Sequence, residues 1–110
     1  MRLLITGGAG FIGSAFVRLV ADSAEHCSVV DKLTYAGDLK RLKEVSARLC
    51  FHQADIADEQ ALQTIFEETK PTAVVHFAAE THVDRSIISP LDFVRANVLG
   101  TANLLTLSLK

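Results

Sequence analysis

The chain has 110 residues, 49% of them hydrophobic and 22% charged, which is enough for one core and too little for two. A net charge of −2 with no block of like charge leaves no basic face, so nucleic acid is not expected as a partner. No apolar run reaches the roughly eighteen residues that cross a bilayer, and strand-like residues begin at Arg2 with no charged-then-apolar leader, so the expected location is the cytoplasm.

"RLLIT" (2–6) is short, apolar and followed by glycines, as a strand buried on both faces would be. After the glycine loop, Ile12, Ala15, Phe16, Leu19 and Val20 keep helical spacing and predict an apolar helix face running to about Ala24. "CSVVD" (27–31) is a second strand, parallel to the first because a helix joins them. "KLTYAGDLKRLKEV" (32–45) reads as a loop and a short helix, and "RLCFHQ" (48–53) as a third strand. Asp58 is placed to cap a helix with Leu62, Ile65 and Phe66 on its apolar face, which Pro71 stops. "TAVVHFAA" (72–79) is the fourth strand and "THVDRSIISP" (81–90) a long connection. From Leu91 a last helix is expected to run through Val94, Val98, Ala102 and Leu105. Cys27 and Cys50, in strand-like runs, are expected to be buried reduced thiols, not a disulfide.

This alternation predicts an α/β doubly wound parallel sheet with helices on both faces and the strand order 3-2-1-4. The last helix runs off at "LLTLSLK" with neither glycine cap nor proline stop, and such sheets expect strands beyond the fourth. Residues 1–110 are therefore expected to be the N-terminal part of a dinucleotide-binding domain, incomplete at its C-terminal side and without a substrate domain.

The loop "TGGAGFIG" supplies the first functional signal. Gly7 permits a tight turn that side chains resist. Gly10 lets backbone approach a pyrophosphate, and Gly13 lets helix and strand pack closely. The helix start behind them offers free N–H groups and partial positive charge to phosphate. A glycine turn with no ligand is the plain alternative. Against it stands Asp31, at the tip of the next strand and eighteen residues past Gly13, suited to both ribose hydroxyls of NAD and repelling the extra phosphate of NADP. Lys32 beside it blurs that choice, since a cation tolerates the phosphate. Asp55 and Ile56 follow the third strand, where a carboxylate and its neighbour could hold adenine; a loop or capping acid is the other reading of Asp55. Phe77, Ala78 and Ala79 follow the fourth strand, where small residues let backbone pass close to a cofactor.

Other residues are less specific. His52, His76 and His82 lie at separate strand ends without ligand spacing, and no metal site is expected. Glu80 has no evident proton to move, and Asp84 and Arg85 can pair in a surface loop. Gly100 inside the last helix costs about 1 kcal/mol against alanine, which close packing would justify.

"TGGAGFIG", "DKLTYAGDL", "ADI", "HFAAETHVDRSI" and "NVLGT" occur in the order and at the spacings of the extended short-chain dehydrogenase/reductases. "DKLTYAG" with "AAETHVDRSI" resembles the nucleotide-sugar 4,6-dehydratases in particular, over essentially the whole chain. The resemblance implies an NAD(P)-binding Rossmann fold and NAD as cofactor, a nucleotide sugar such as dTDP-glucose as substrate, and a homodimer in full-length relatives. It also implies that the hexose is oxidised at C4, loses water across C5 and C6, and regains the hydride at C6. Residue by residue, Phe11 and Ile12 would meet the pyrophosphate through backbone, and Asp31, Lys32, Leu33 and Thr34 would surround the adenosine ribose. Asp55 and Ile56 would hold adenine. Phe77, Ala78, Ala79, Glu80 and Thr81 would run past the nicotinamide side, with the Thr81 hydroxyl reaching the sugar where relatives usually have serine. Relatives usually have threonine where this chain has Ala96, a loss of one polar contact, and leucine where it has Phe77. The family's Tyr-x-x-x-Lys and Asp-Glu pairs have no counterpart here: Tyr35 is followed four residues on by Leu39, so no catalytic residue is assigned. Two other readings stand beside this one, a non-catalytic NAD-binding module and a fragment of a nucleotide-sugar epimerase or decarboxylase.

Overall fold

In a computed structural model the structure describes residues 1–33, 38–77, 91 and 95–109. Thr34, Tyr35, Ala78, Ala79, Glu80, Thr81, His82, Asp84, Arg85 and Val94, singled out above, lie outside the described residues. β1 (Arg2–Thr6), β2 (His26–Asp31), β3 (Cys50–Gln53) and β4 (Ala73–His76) form one parallel sheet in the order β3-β2-β1-β4, as expected. Helix α1 (Phe11–Val20) and a 3₁₀ segment (Leu39–Arg48) are followed later by α2 (Glu59–Thr69), a π-helical turn (Arg95–Gly100) and α3 (Thr101–Ser108). Among the described residues no helix is long and apolar enough to cross a membrane.

The near-continuous apolar character of β1 and β2 reflects burial on both faces. Leu3, Ile5, Cys27 and Val29 enter a core with Val17, Ala21, Leu42 and Val45, under α1 and the 3₁₀ segment. Leu4 and Val30, one residue out of phase, enter a second core with Ile56, Leu62, Ile65, Leu104 and Leu107, under α2 and α3. Alternation along the strand thus splits one apolar run between two layers. α2 starts where Asp58 accepts the Ala61 N–H, and ends at Lys70 in left-handed conformation (φ 46°) before Pro71. Arg2 secures that end by donating two hydrogen bonds to the Thr69 carbonyl.

Several expectations are corrected. α1 ends at Val20, not Ala24, and its buried residues are Gly13, Ser14 and Val17; Ile12 and Leu19 are 69% and 78% exposed. Gly13 and Ser14 face the sheet where backbone comes too close for larger residues, Val17 enters the core, and of the predicted stripe only Phe16 and Val20 pack partly against it. In the last helix Val98 and Leu105, which share the apolar spacing, are exposed, while Asn103, Leu104 and Leu107 are buried. A π turn spans one residue more than an α turn, so a 3.6-residue count carried through Arg95–Gly100 points to the wrong face beyond it. Cys27 is buried but Cys50, the first residue of an outer strand, is exposed, and both are free thiols. Burial raises the Cys27 pKa above the ordinary thiol value, helped by Cys50 nearby. Strand 3 starts at Cys50, not Arg48, and strand 4 is confined to Ala73–His76.

Candidate functional site

The carboxyl ends of the strands carry the site. Gly7, directly after β1, has φ 68°, the left-handed conformation that its glycine was expected to permit. Its N–H donates to the Val30 carbonyl of β2 at 2.8 Å and its carbonyl accepts from Gly10 at 3.1 Å, closing the loop on itself. Gly13 is required by space: a Cβ there would lie 2.1 Å from the Gly7 carbonyl oxygen. Gly8 is equally tight, its Cβ direction meeting Val29 Cγ1 at 2.4 Å, and the three-residue rhythm of the motif had passed over it. Gly10 is different. As N-cap of α1 it is extended (φ −76°, ψ 175°), which any residue adopts, so this backbone conformation does not itself demand glycine. No side chain caps α1, and its first N–H groups have no acceptor inside the helix. Phe11, Ile12 and Gly13 form that first turn, with the Phe11 side chain 81% exposed.

Asp31, 9% exposed, joins this loop to the end of β2. Its Oδ2 accepts the Ala9 N–H at 2.9 Å and its Oδ1 the Leu33 N–H at 2.7 Å, the latter a tight turn that carries Leu33 to φ 61°. Each carboxylate oxygen keeps a second acceptor direction. The Ala9 carbonyl accepts from Asp38 N–H (2.9 Å) and Arg41 Nη1 (3.0 Å), so both polar groups of a residue with no exposed surface are used in fixing the loop.

Lys32 Nζ lies 3.4 Å from Asp55 Oδ2, which brings the ends of β2 and β3 together. Asp55 also accepts the Ala57 N–H at 2.9 Å. The capping and the binding readings of Asp55 are therefore compatible: one oxygen shapes the loop and the other faces Lys32. Ile56 is 5% exposed, a core residue whose backbone lies at the strand-end crevice. Gly100 packs on it so closely that a Cβ would approach its Cγ1 to 2.4 Å, the packing reason for a glycine within this helical segment. On the other side of β1, Phe77 packs against Phe16 of α1 with ring centroids 5.5 Å apart and the rings tilted by 53°. The half-buried His76 ring contacts Thr6 and Thr101, and burial lowers its pKa below the ordinary histidine value. Among the described residues no three His, Cys, Asp or Glu side chains stand together to hold a metal.

The structure thus brings Gly7, Gly10, Phe11, Ile12, Gly13, Asp31, Lys32, Leu33, Asp55 and Ile56 to one end of the sheet, with Phe77 across β1. Sequence reading assigned no role to Gly8, Ala9 or Thr101, although they lie within "TGGAGFIG" and "NVLGT", and passed over Asn103; they act through packing and through contacts with residues distant in the chain.

A parallel sheet of order 3-2-1-4 with a glycine loop after β1 and an acid at the tip of β2 defines a doubly wound α/β domain of the dinucleotide-binding class. Residues 4–110 match the family model described as GDP-mannose 4,6 dehydratase, and the chain belongs to that family. It is 50% identical over 108 residues to a dTDP-glucose 4,6-dehydratase of Escherichia coli, an alignment covering 96% of this chain and 30% of that protein. With a probable dTDP-glucose 4,6-dehydratase of Sinorhizobium fredii it shares 55% identity over 108 residues, 96% of this chain and 31% of the relative. Among solved structures, the dTDP-glucose 4,6-dehydratase of Streptomyces venezuelae with NAD bound superposes with a TM-score of 0.89 at 48% identity, covering 99% of this chain and 36% of that one. The UDP-glucose 4-epimerase of Thermotoga maritima superposes with a TM-score of 0.90 at 34% identity, covering 99% and 34%. The chain thus spans about a third of the length of the proteins it matches.

Proposed function

We propose that this chain is the NAD-holding, N-terminal part of a nucleotide-sugar 4,6-dehydratase whose substrate is dTDP-glucose, with the substrate domain and the acid/base residues lying outside these 110 residues. The observation that carries the reading is the Asp31 carboxylate, already bonded to the glycine loop through Ala9 and still able to accept two more hydrogen bonds. In this reading Phe11, Ile12 and Gly13 offer their backbone N–H groups to the pyrophosphate, and Gly7 and Gly10, whose own N–H groups bond within the fold, shape the loop that lets it approach. Asp31, Lys32, Leu33 and Thr34 surround the adenosine ribose, and Asp55 with Ile56 holds adenine. Phe77, Ala78, Ala79, Glu80 and Thr81 pass the nicotinamide side, with the Thr81 hydroxyl directed to the sugar. When bound, NAD supplies a hydride acceptor that returns the hydride within one turnover. The identity to the Escherichia coli dehydratase (50%) exceeds that to the Thermotoga epimerase (34%), which supports dehydration over epimerisation. The remaining parts of the reading are a cytoplasmic homodimer with no nucleic-acid partner.

Selection of NAD over NADP follows from charge. Lys32 is the cation that could tolerate a ribose phosphate, and it is engaged by Asp55 at 3.4 Å, leaving the Asp31 carboxylate to repel that phosphate. Titration of this chain with NAD and NADP is the test, read by calorimetry. NAD is expected to bind about tenfold or more tightly than NADP, a difference of about 1.4 kcal/mol, and Asp31→Asn to weaken NAD while narrowing that gap. Equal affinities for the two cofactors overturn the assignment of Asp31.

A further inference from the structure

Two polar side chains on α3, Asn103 buried and Thr101 half-buried, are not explained by core packing. A helix that only covers a sheet puts apolar residues inward, since a buried polar group is costly unless bonded. Thr101 and Asn103 are bonded, and each reaches a different strand-end loop. Asn103, 8% exposed, donates from Nδ2 to the Ile56 carbonyl at 2.9 Å, just where Gly100 packs on the Ile56 side chain. Thr101 Oγ1 lies 3.0 Å from His76 Nε2, and the other ring nitrogen, Nδ1, lies 2.6 Å from Thr6 Oγ1.

The Thr101 hydroxyl donates to the Asn97 carbonyl at 3.1 Å. With that proton so placed, a neutral ring donates from Nε2 to Thr101 Oγ1 and accepts at Nδ1 from the Thr6 hydroxyl. The Phe77 N–H is shared between Thr6 Oγ1 at 3.1 Å and the Thr6 carbonyl at 2.9 Å. Burial lowers the His76 pKa and so favours the neutral ring.

We propose that Gly100, Thr101 and Asn103 are the positioning element of the dinucleotide site: Asn103 and Gly100 hold the β3 loop through Ile56, and Thr101 holds the end of β4 through His76. The clamp is read from contacts alone; what its two arms position rests on the dinucleotide reading above. One turn of helix then sets the adenine end and the nicotinamide end relative to each other without touching either. The arms are separable, because they act on strands at opposite sides of β1 and β2.

The test uses this chain with Thr101→Val, Thr101→Ser and Asn103→Ala, and two readouts. The first is amide hydrogen exchange with no nucleotide present. Thr101→Val is expected to speed exchange at Phe77 about tenfold while leaving Ala57 and Asp58 unchanged; Asn103→Ala is expected to do the reverse. The second is affinity for AMP and for NAD. Asn103→Ala should weaken both about tenfold, whereas Thr101→Val should weaken NAD about tenfold, leave AMP unchanged, and be restored by Thr101→Ser. Even acceleration across the whole sheet, equal effects of both substitutions on AMP, or failure of serine to restore NAD affinity overturns the proposal. A wild-type chain that binds neither nucleotide overturns the dinucleotide reading, and the exchange pattern alone then upholds or overturns the clamp.

Discussion

Asp31 and His76 both sit at strand ends but meet different partners. Asp31 accepts from two backbone N–H groups. His76 meets hydroxyl groups on both sides, and burial favours the neutral ring. The folded-state pKa lies below the unfolded value of 6.5, so below pH 6.5 the unfolded chain takes up a proton that the folded chain resists. Stability from this residue is complete above pH 6.5 and falls as pH drops toward the folded pKa. Thermal melts between pH 7.5 and 5 are expected to show that fall, and His76→Gln to flatten it; an unchanged pH profile in the variant refutes the assignment. Gly13 makes the sharpest steric prediction. With a Cβ only 2.1 Å from the Gly7 carbonyl oxygen, Gly13→Ala forces backbone apart and is expected to cost about 1–3 kcal/mol, seen as a lower urea midpoint at unchanged slope.

Among the elements, α2 has the most complete signals and one defect. Its N-cap is Asp58, its apolar residues Leu62 and Ile65 are buried, and its carboxyl end is held by Arg2. The defect is Lys70, an L-residue in left-handed conformation where glycine is the usual solution. Lys70→Gly is expected to raise stability by about 1 kcal/mol, and a denaturant midpoint that falls would refute this. α1 and α3 teach the opposite lesson. Their apolar residues keep helical spacing, yet Ile12, Leu19, Val98 and Leu105 are exposed. In α1 the close approach needs glycine and serine on the inner face; in α3 the π turn shifts the phase. Periodicity reports which residues share a face, but not which face the sheet accepts.

Across the whole molecule, protection follows position in the sheet. β1 lies between β2 and β4, with Leu4, Ile5 and Thr6 fully buried, whereas β3 and β4 are outer strands with partly exposed residues. Native-state hydrogen exchange is expected to be slowest in β1 and β2 and faster in β3 and β4. Equal protection of all four strands would show that the sheet opens only as a unit. The site draws on both classes of strand: the glycine loop and Asp31 rest on the central pair, while Asp55, Ile56 and Phe77 follow outer strands. That difference gives the contacts from Asn103 and Thr101 their leverage, since they hold the strand ends that the sheet holds least.

The sequence by itself determined the strand order, the conformational need at Gly7, the cap at Asp58 and the place of Asp31, because each depends on residues close in the chain or on a chirality rule common to all such folds. It also determined the family, through motifs spread over the whole length. Only the tertiary structure decided which helix faces are buried, that Lys32 is engaged by Asp55, and that His76, Thr101 and Asn103 bind distant loops to α3. Those outcomes depend on contacts between residues 23 to 47 positions apart, or on how closely two backbones approach. Neither quantity is written in a local pattern of apolar and polar residues.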